Sequence, residues 1–184
     1  NIVPLIDLEL RSRTGRRVSS HATPMQLQNL NTAAGQYDPK ERCTHLANSI
    51  RSIQQLHNEG IVHLDVKPEN ILLSLKEDML LCDFAGSMHN GQPSCILYCT
   101  PRYGAPEVIA AYERKDLLDI TPANDAYSAA IMTLRVVGSK NIRGSLRTAV
   151  RENLRQHPQE RPGLEPLIYE LEDNAANAQI SRRN

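Results

Sequence analysis

Ile61-Val62-His63-Leu64-Asp65-Val66-Lys67-Pro68-Glu69-Asn70-Ile71-Leu72-Leu73, followed by Met79-Leu80-Leu81-Cys82-Asp83-Phe84-Ala85-Gly86, is the stretch around which the rest of the chain is organised. Asp65, Lys67, Asn70 and Asp83 stand among apolar runs that read as short buried strands. Ile71-Leu72-Leu73 and Met79-Leu80-Leu81 are predicted hairpin arms, with Lys76-Glu77-Asp78 as the polar turn between them. Such a hairpin brings Asn70, at the start of one arm, close to Asp83, at the end of the other. A side-chain amide and a carboxylate on one rim form an all-oxygen pair that suits a hard cation such as magnesium. Asp65 and Lys67 precede the first arm and project into the same space.

On these residues the stretch resembles the catalytic loop and metal-binding segment of eukaryotic protein kinases of the serine/threonine type. The family pattern H-R-D-x-K-x-x-N is matched from His63 to Asn70 with Leu64 in place of Arg, and D-F-G reads Asp83-Phe84-Ala85. Cys99-Thr100-Pro101-Arg102-Tyr103-Gly104-Ala105-Pro106-Glu107 is similar to the end of the family's activation segment, G-T-x-x-Y-x-A-P-E, with Cys99 for Gly. Each motif alone would be a weak signal; three in the family's order and spacing are specific.

The resemblance implies a mainly α fold, a helical bundle like the kinase C-lobe with a small β-hairpin carrying the catalytic and metal-binding loops. It covers about Asp38 to Asp173, so the expected organisation is a hinge-like segment and loop over 1–37, the C-lobe-like domain over 38–173, and a polar tail over 174–184. The N-lobe sheet is expected to be absent, because neither a G-x-G-x-x-G before a strand nor a V-A-I-K-like lysine is found, and a start on Asn1 suggests a trimmed or partial chain.

The resemblance also assigns roles for ATP-dependent phosphoryl transfer, where catalysis is mostly positioning and charge neutralisation. Asp65 would orient the acceptor hydroxyl and take its proton late. Lys67 would neutralise the transferring phosphate, and Thr100 would bridge Asp65 and Lys67. Asn70 and Asp83 would hold Mg2+ against the phosphates of ATP. His63 would pack on the metal segment, and Phe84, the only Phe of the chain, would plug the core. Ala85 replaces the freest hinge of the segment, for which Gly86 could substitute. Leu64 removes the cation that receives an activation-segment phosphate, so apolar packing around Leu64 would have to order that segment.

The remaining elements follow from periodicity and capping. Ile2 to Leu10 reads as an extended strand, followed by a basic, turn-rich connection containing Arg11, Arg13, Arg16 and Arg17. Asp38 opens a helix as N-cap, with Pro39 at the first helical position and Glu41 completing a capping box. Cys43, Leu46, Ala47, Ile50, Ile53 and Leu56 recur at helical spacing until Gly60. A short helix is predicted from Glu107 to Tyr112 and a buried central one from Asp125 to Val137. Leu146, Ala149, Val150 and Leu154 mark a further helix, and Leu164, Leu167, Ile168 and Leu171 the last. Arg161 resembles the family arginine that pairs with the Glu of A-P-E, here Glu107. The interval from the central helix to Arg161 is short for the family, so the helix that usually follows the central one is expected to be reduced or deleted.

Composition excludes some classes of partner. Lys+Arg and Asp+Glu are both 21 in 184 residues, which gives no charge bias toward nucleic acid or membrane. Four cysteines without C-x-x-C spacing favour reduced thiols, and with no signal peptide or spanning run this points to an intracellular chain. Three functional readings remain. One is an ATP-dependent kinase acting on Ser or Thr of a protein substrate, completed by a partner or further segment that supplies an N-lobe. The second is a catalytically inert, kinase-derived (pseudokinase) interaction module. The third is a small-molecule phosphotransferase, against which Lys67, Thr100 and Ala105-Pro106-Glu107 speak.

Overall fold

A computed structural model of the chain describes residues 28–73, 79–95 and 98–180. The expected strand over 2–10, the basic connection after it and the polar turn at 76–78 lie outside these residues.

The first described elements are a short strand, β1 (Gln28–Asn29), and one helical turn, α1 (Leu30–Ala33), capped by the Asn29 side chain at the Thr32 N–H. Leu30 is 0% and Ala33 1% exposed. The end of the segment read as hinge and loop is therefore built into the core. Its isolated apolar residues show no period over so short a run.

Helix α2 (Pro39–Asn58) begins as its capping signature requires. Asp38 Oδ1 accepts from the Lys40 and Glu41 N–H groups at 2.8 and 2.9 Å, and the Asp38 N–H donates to Glu41 Oε2 at 2.8 Å. Gly60, at φ +76°, ends the run in a backbone region that glycine enters without steric cost. The chain then forms β2 (Ile61–Val62), the catalytic-loop stretch, and the hairpin of β3 (Ile71–Leu73) and β4 (Met79–Leu81). Ile71 pairs with Leu81, Leu72 with Leu80 and Leu73 with Met79, and β1 adds antiparallel to β3. The expected arms are therefore present in register.

Two further two-stranded pairings follow. β5 (Met88–His89) lies antiparallel to β2, and β6 (Pro93–Ser94) antiparallel to β7 (Leu118–Asp119). Between β6 and β7 runs α3 (Pro106–Arg114), with proline at its first position. The central helix α4 (Pro122–Thr133) starts before the expected Asp125 and passes into a π-helical turn over Leu134–Gly138. Only residues 139–143 separate that turn from α5 (Gly144–Asn153), and no helix lies between them. The last helix, α6 (Glu165–Ile180), packs along α2 and runs past Asp173; Ala175 on it is 7% exposed in the core.

The molecule is mainly helical, and two apolar clusters hold it. The larger joins α1, α2, β3, α4, α5 and α6 through residues such as Leu46, Ile50, Met132, Leu146, Leu167 and Leu171. The smaller gathers Val62, Leu64, Ala105, Val108, Ala111 and Ile120 beneath the catalytic-loop stretch, with Met88, Cys99, Leu118 and Tyr127 against it. The four cysteines are unpaired. Among the described residues no helix is long and apolar enough to cross a membrane.

Candidate active site

The residues between β2 and β3 are positioned from below by one buried carboxylate. Asp125, at 0% exposure on α4, accepts from the His63 N–H through Oδ2 and from the Leu64 N–H through Oδ1, both at 2.8 Å. His57, on the last turn of α2, meets Asp125 Oδ2 at 2.8 Å. A buried carboxylate needs such donors, since an unpaired charge in the interior is costly. Leu64 itself sits at φ +68°. That left-handed conformation costs a leucine about 1–2 kcal/mol, and the two bonds to Asp125 and the burial of its side chain at 3% exposure hold it there.

The turn at Leu64 presents Asp65 on the surface side of the loop. Asp65 Oδ2 accepts from Lys67 Nζ at 2.5 Å and from Asn70 Nδ2 at 3.2 Å. Its Oδ1 accepts from the Thr100 N–H at 3.0 Å and from the Thr100 hydroxyl at 2.7 Å. Thr100 Oγ1 in turn accepts from Lys67 Nζ at 2.8 Å. The structure thus brings Asp65, Lys67, Asn70 and Thr100 into one network. Burial pushes the Asp65 carboxyl up, but hydrogen bonds from Lys67, Thr100 and Asn70, with the charge of Lys67, hold it below the usual carboxylate range. The group is an ionised hydrogen-bond acceptor and a weak base.

Asn70 is 5% exposed, and its Nδ2 also donates to the Asp65 carbonyl at 2.9 Å. With the nitrogen committed to Asp65, the amide oxygen is turned away from it. The Cys82 N–H donates to the Asn70 carbonyl at 3.0 Å, so the hairpin sets Asn70 and the Cys82-Asp83 step at the same end. Asp83 is exposed and left-handed, at φ +62° and ψ +65°. An amide oxygen and an exposed carboxylate are hard donors, and magnesium needs only one or two carboxylates beside the phosphates of its nucleotide. The donor set therefore fits that ion, although no group of three His, Cys, Asp or Glu among the described residues would hold a metal alone.

His63 is fully buried. Its Nδ1 accepts from the Asp65 N–H at 3.3 Å, which leaves Nε2 to donate to the Cys82 carbonyl at 3.1 Å. The ring also meets Phe84, centroid to centroid at 5.2 Å. His63 thus ties the Cys82–Phe84 step to the loop between β2 and β3, the packing expected of it. Phe84 does not plug the core: it is 43% exposed. The left-handed step at Asp83 and the 3-10 turn Phe84–Gly86 lay its ring against His63, while the buried members of both apolar clusters are aliphatic apart from Cys43. Gly86 does not have a positive φ, so the left-handed freedom peculiar to glycine is not used there in this conformation. It is needed for close approach, because a Cβ there would stand 2.8 Å from the Cβ of Tyr98.

The activation segment is closed by Glu107 and Arg161. Arg161 Nη1 donates to Glu107 Oε1 at 2.7 Å and Nη2 to Oε2 at 2.8 Å. Asn124 Nδ2 adds a third donor to Glu107 at 2.8 Å. Asn124, Asp125 and His57 position the site although none belongs to the catalytic-loop, D-F-A or A-P-E motifs. The available signal was a polar pair at the head of an otherwise apolar helix, which has to be paired if buried.

A family model described as the protein kinase domain matches residues 1–177. The chain belongs to the protein kinase family. It is 43% identical over 75 residues to serine/threonine-protein kinase sck2 of Schizosaccharomyces pombe, covering 39% of this chain and 12% of that protein. It is 30% identical over 88 residues to an Aurora kinase of Patiria pectinifera, covering 47% and 22%. To serine/threonine-protein kinase STE20 of Candida glabrata it is 34% identical over 92 residues, covering 48% and 9%. The matched part spans less than a quarter of the length of each of these relatives.

Proposed function

We propose that this chain carries the catalytic lobe for ATP-dependent phosphoryl transfer to Ser or Thr of a protein substrate. The observation that supports this most directly is the Asp65 carboxylate with Lys67 and Thr100 locked around it. Bound MgATP would supply the transferable phosphoryl group and the divalent charge, with Asn70 and Asp83 as its protein ligands. Asp65 receives the hydrogen bond of the acceptor hydroxyl and fixes the direction of its oxygen. Because its carboxyl lies below the usual range, Asp65 takes the proton late, when the hydroxyl has become acidic through bond formation. Lys67 places an ammonium charge between Asp65 and the phosphate being transferred. Thr100 couples the activation segment to both, so that a displaced segment would also displace the base.

Leu72 and Leu80 extend the site. They are cross-strand partners on the face opposite the buried Ile71 and Leu73; Leu80 is 41% exposed. This pair offers an apolar surface beside the polar rim, suited to a nucleotide base. Pockets usually enclose most of a ligand, so full affinity requires further surface from a partner or another segment acting as N-lobe. The inert, kinase-derived module remains a second reading, favoured by the exposed Phe84 ring, which leaves the metal segment unpacked on one side.

The deciding experiment is a transfer assay with radiolabelled ATP, Mg2+ and Ser/Thr peptides, with an N-lobe supplied in cis or in trans. Transfer lost in Asp65→Asn and Asp83→Asn, with unchanged circular dichroism, is the expected result. No transfer by the unaltered protein under these conditions would select the inert module, and full activity of Asp83→Asn would overturn the metal assignment.

A further inference from the structure

Arg135 belongs to the π-helical turn Leu134–Gly138 at the end of α4. Such turns widen the helix, re-aim its side chains and are frequent at functional sites. Its guanidinium carbon stands 5.0 Å from the centroid of the Tyr103 ring. Tyr103, 5% exposed, lies in the turn closed by the Tyr103 and Gly104 N–H groups on the Thr100 carbonyl, at 2.8 and 2.9 Å. One turn therefore carries Thr100, which touches Asp65, and Arg102, two residues further on. Arg102 and Arg135 are both exposed, and neither forms an ion pair among the described residues.

Arg135 stacks on the Tyr103 ring and Arg102 directly precedes Tyr103 on the turn, so both arginines adjoin this residue. Burial raises the pKa of its hydroxyl and Glu69 raises it further, whereas Arg135, Arg102 and Lys67 act in the opposite direction. Lys67 is already engaged by Asp65 and Thr100. Glu69 opposes an anion, with one carboxylate oxygen buried and lacking a hydrogen-bond partner. Two uncommitted guanidinium groups against one carboxylate leave the space cationic. Arg135 is also held over an aromatic ring, so it loses less freedom when it binds than a free side chain would.

Resting on the kinase reading, we propose that Arg102 and Arg135 form an anion-recognising subsite beside the acceptor position, selecting protein substrates with a carboxylate or phosphorylated side chain near the accepted Ser or Thr. Guanidinium groups match both anions by paired, charge-assisted hydrogen bonds.

The test measures binding by fluorescence anisotropy, using peptides with one Ser acceptor flanked by Ala, Asp, phosphoserine or Arg. The Asp or the phosphoserine peptide is expected to bind about tenfold tighter than the Ala peptide, and the two arms separate carboxylate from phosphate. Replacing both residues, Arg102→Glu with Arg135→Glu, should reverse the preference toward the Arg peptide, which misfolding cannot produce. The same charge change at Arg147 and Arg151, exposed on α5, should leave the preference intact. Equal binding of all four peptides would overturn the proposal. So would tightest binding of the Arg peptide by the unaltered protein, or a reversal by the α5 substitutions. Binding is read without turnover, so an anion preference with no phosphoryl transfer defeats only the kinase reading. Transfer without an anion preference defeats only the subsite.

Discussion

The Leu64 backbone N–H donates to Asp125 Oδ1 across 2.8 Å, tying the strained residue of the catalytic loop to the buried head of α4. The same carboxylate holds the His63 N–H and the His57 ring. Asp125→Ala would orphan three buried donors at once. Breaking a buried pair in this way typically costs about 3–5 kcal/mol, so the urea midpoint should fall by as much as a severe core truncation causes. His57→Ala removes only one of the three and should cost less. Equal midpoints for Asp125→Ala and the parent would contradict the assignment.

Leu64 packs in the smaller cluster with Met88 near the start of the activation segment and Cys99 near its end. Apolar contact therefore joins the two ends where an arginine would need a phosphate. On the proposed kinase reading, replacing Ser87 and Ser94 by Ala and Tyr98 by Phe should leave phosphoryl transfer, assayed with an N-lobe supplied, within a few-fold of the parent. A large loss, restored by acidic substitutes, would show that another cation serves a phosphate there. Leu64→Arg should instead destabilise the fold, because it places a charge among Val62, Ala105, Val108 and Ile120.

Asp65 gives the pH dependence a definite sign. Its folded-state carboxyl lies below the ordinary value, since Lys67, Thr100 and Asn70 favour the ionised form by more than burial opposes it. The stabilisation is fully present above the unfolded carboxylate pKa, about 3.9. It is lost as pH falls below that value through the lower folded one. The stability difference between the parent and Asp65→Asn, followed by denaturant titration, should stay constant from neutral pH to about pH 5 and shrink below about pH 4. A difference that grew on acidification would reverse the sign.

Arg161 has a fully buried side chain and spends its guanidinium on Glu107 and on the Ala123, Arg155 and Gln156 carbonyls. Arg161→Ala should cost about 3–5 kcal/mol. Arg161→Lys should recover only part of it, because one ammonium cannot reproduce the bidentate fork. If lysine restored the full unfolding midpoint, charge alone would account for the pair.

Local signals in the sequence were sufficient for much of the architecture. The capping box at Asp38 and the apolar period after it specify α2, because the helix start and the buried stripe are properties of neighbouring residues. The hairpin of β3 and β4 followed from two apolar runs around a polar turn. The motif residues Asp65, Lys67, Asn70 and Thr100 could be named in advance because their spacing is specific. The pairing of Arg161 with Glu107 came with the same resemblance.

Tertiary structure alone decided the rest. That Asp125 holds the loop from below depends on α4 crossing beneath residues more than fifty positions earlier, a contact with no periodic trace in the chain. Phe84 is apolar and its side chain alone predicts burial, yet its exposure is set by the backbone turn at Asp83 and by clusters already filled with other apolar side chains. Gly86 reads as a hinge in the sequence, and the structure adds a requirement the sequence does not show, the close approach of Tyr98. Leu30 and Ala33 belong to the core because β1 pairs with β3. Composition and periodicity report which residues tend to be buried; only the packed chain decides which partner each one meets.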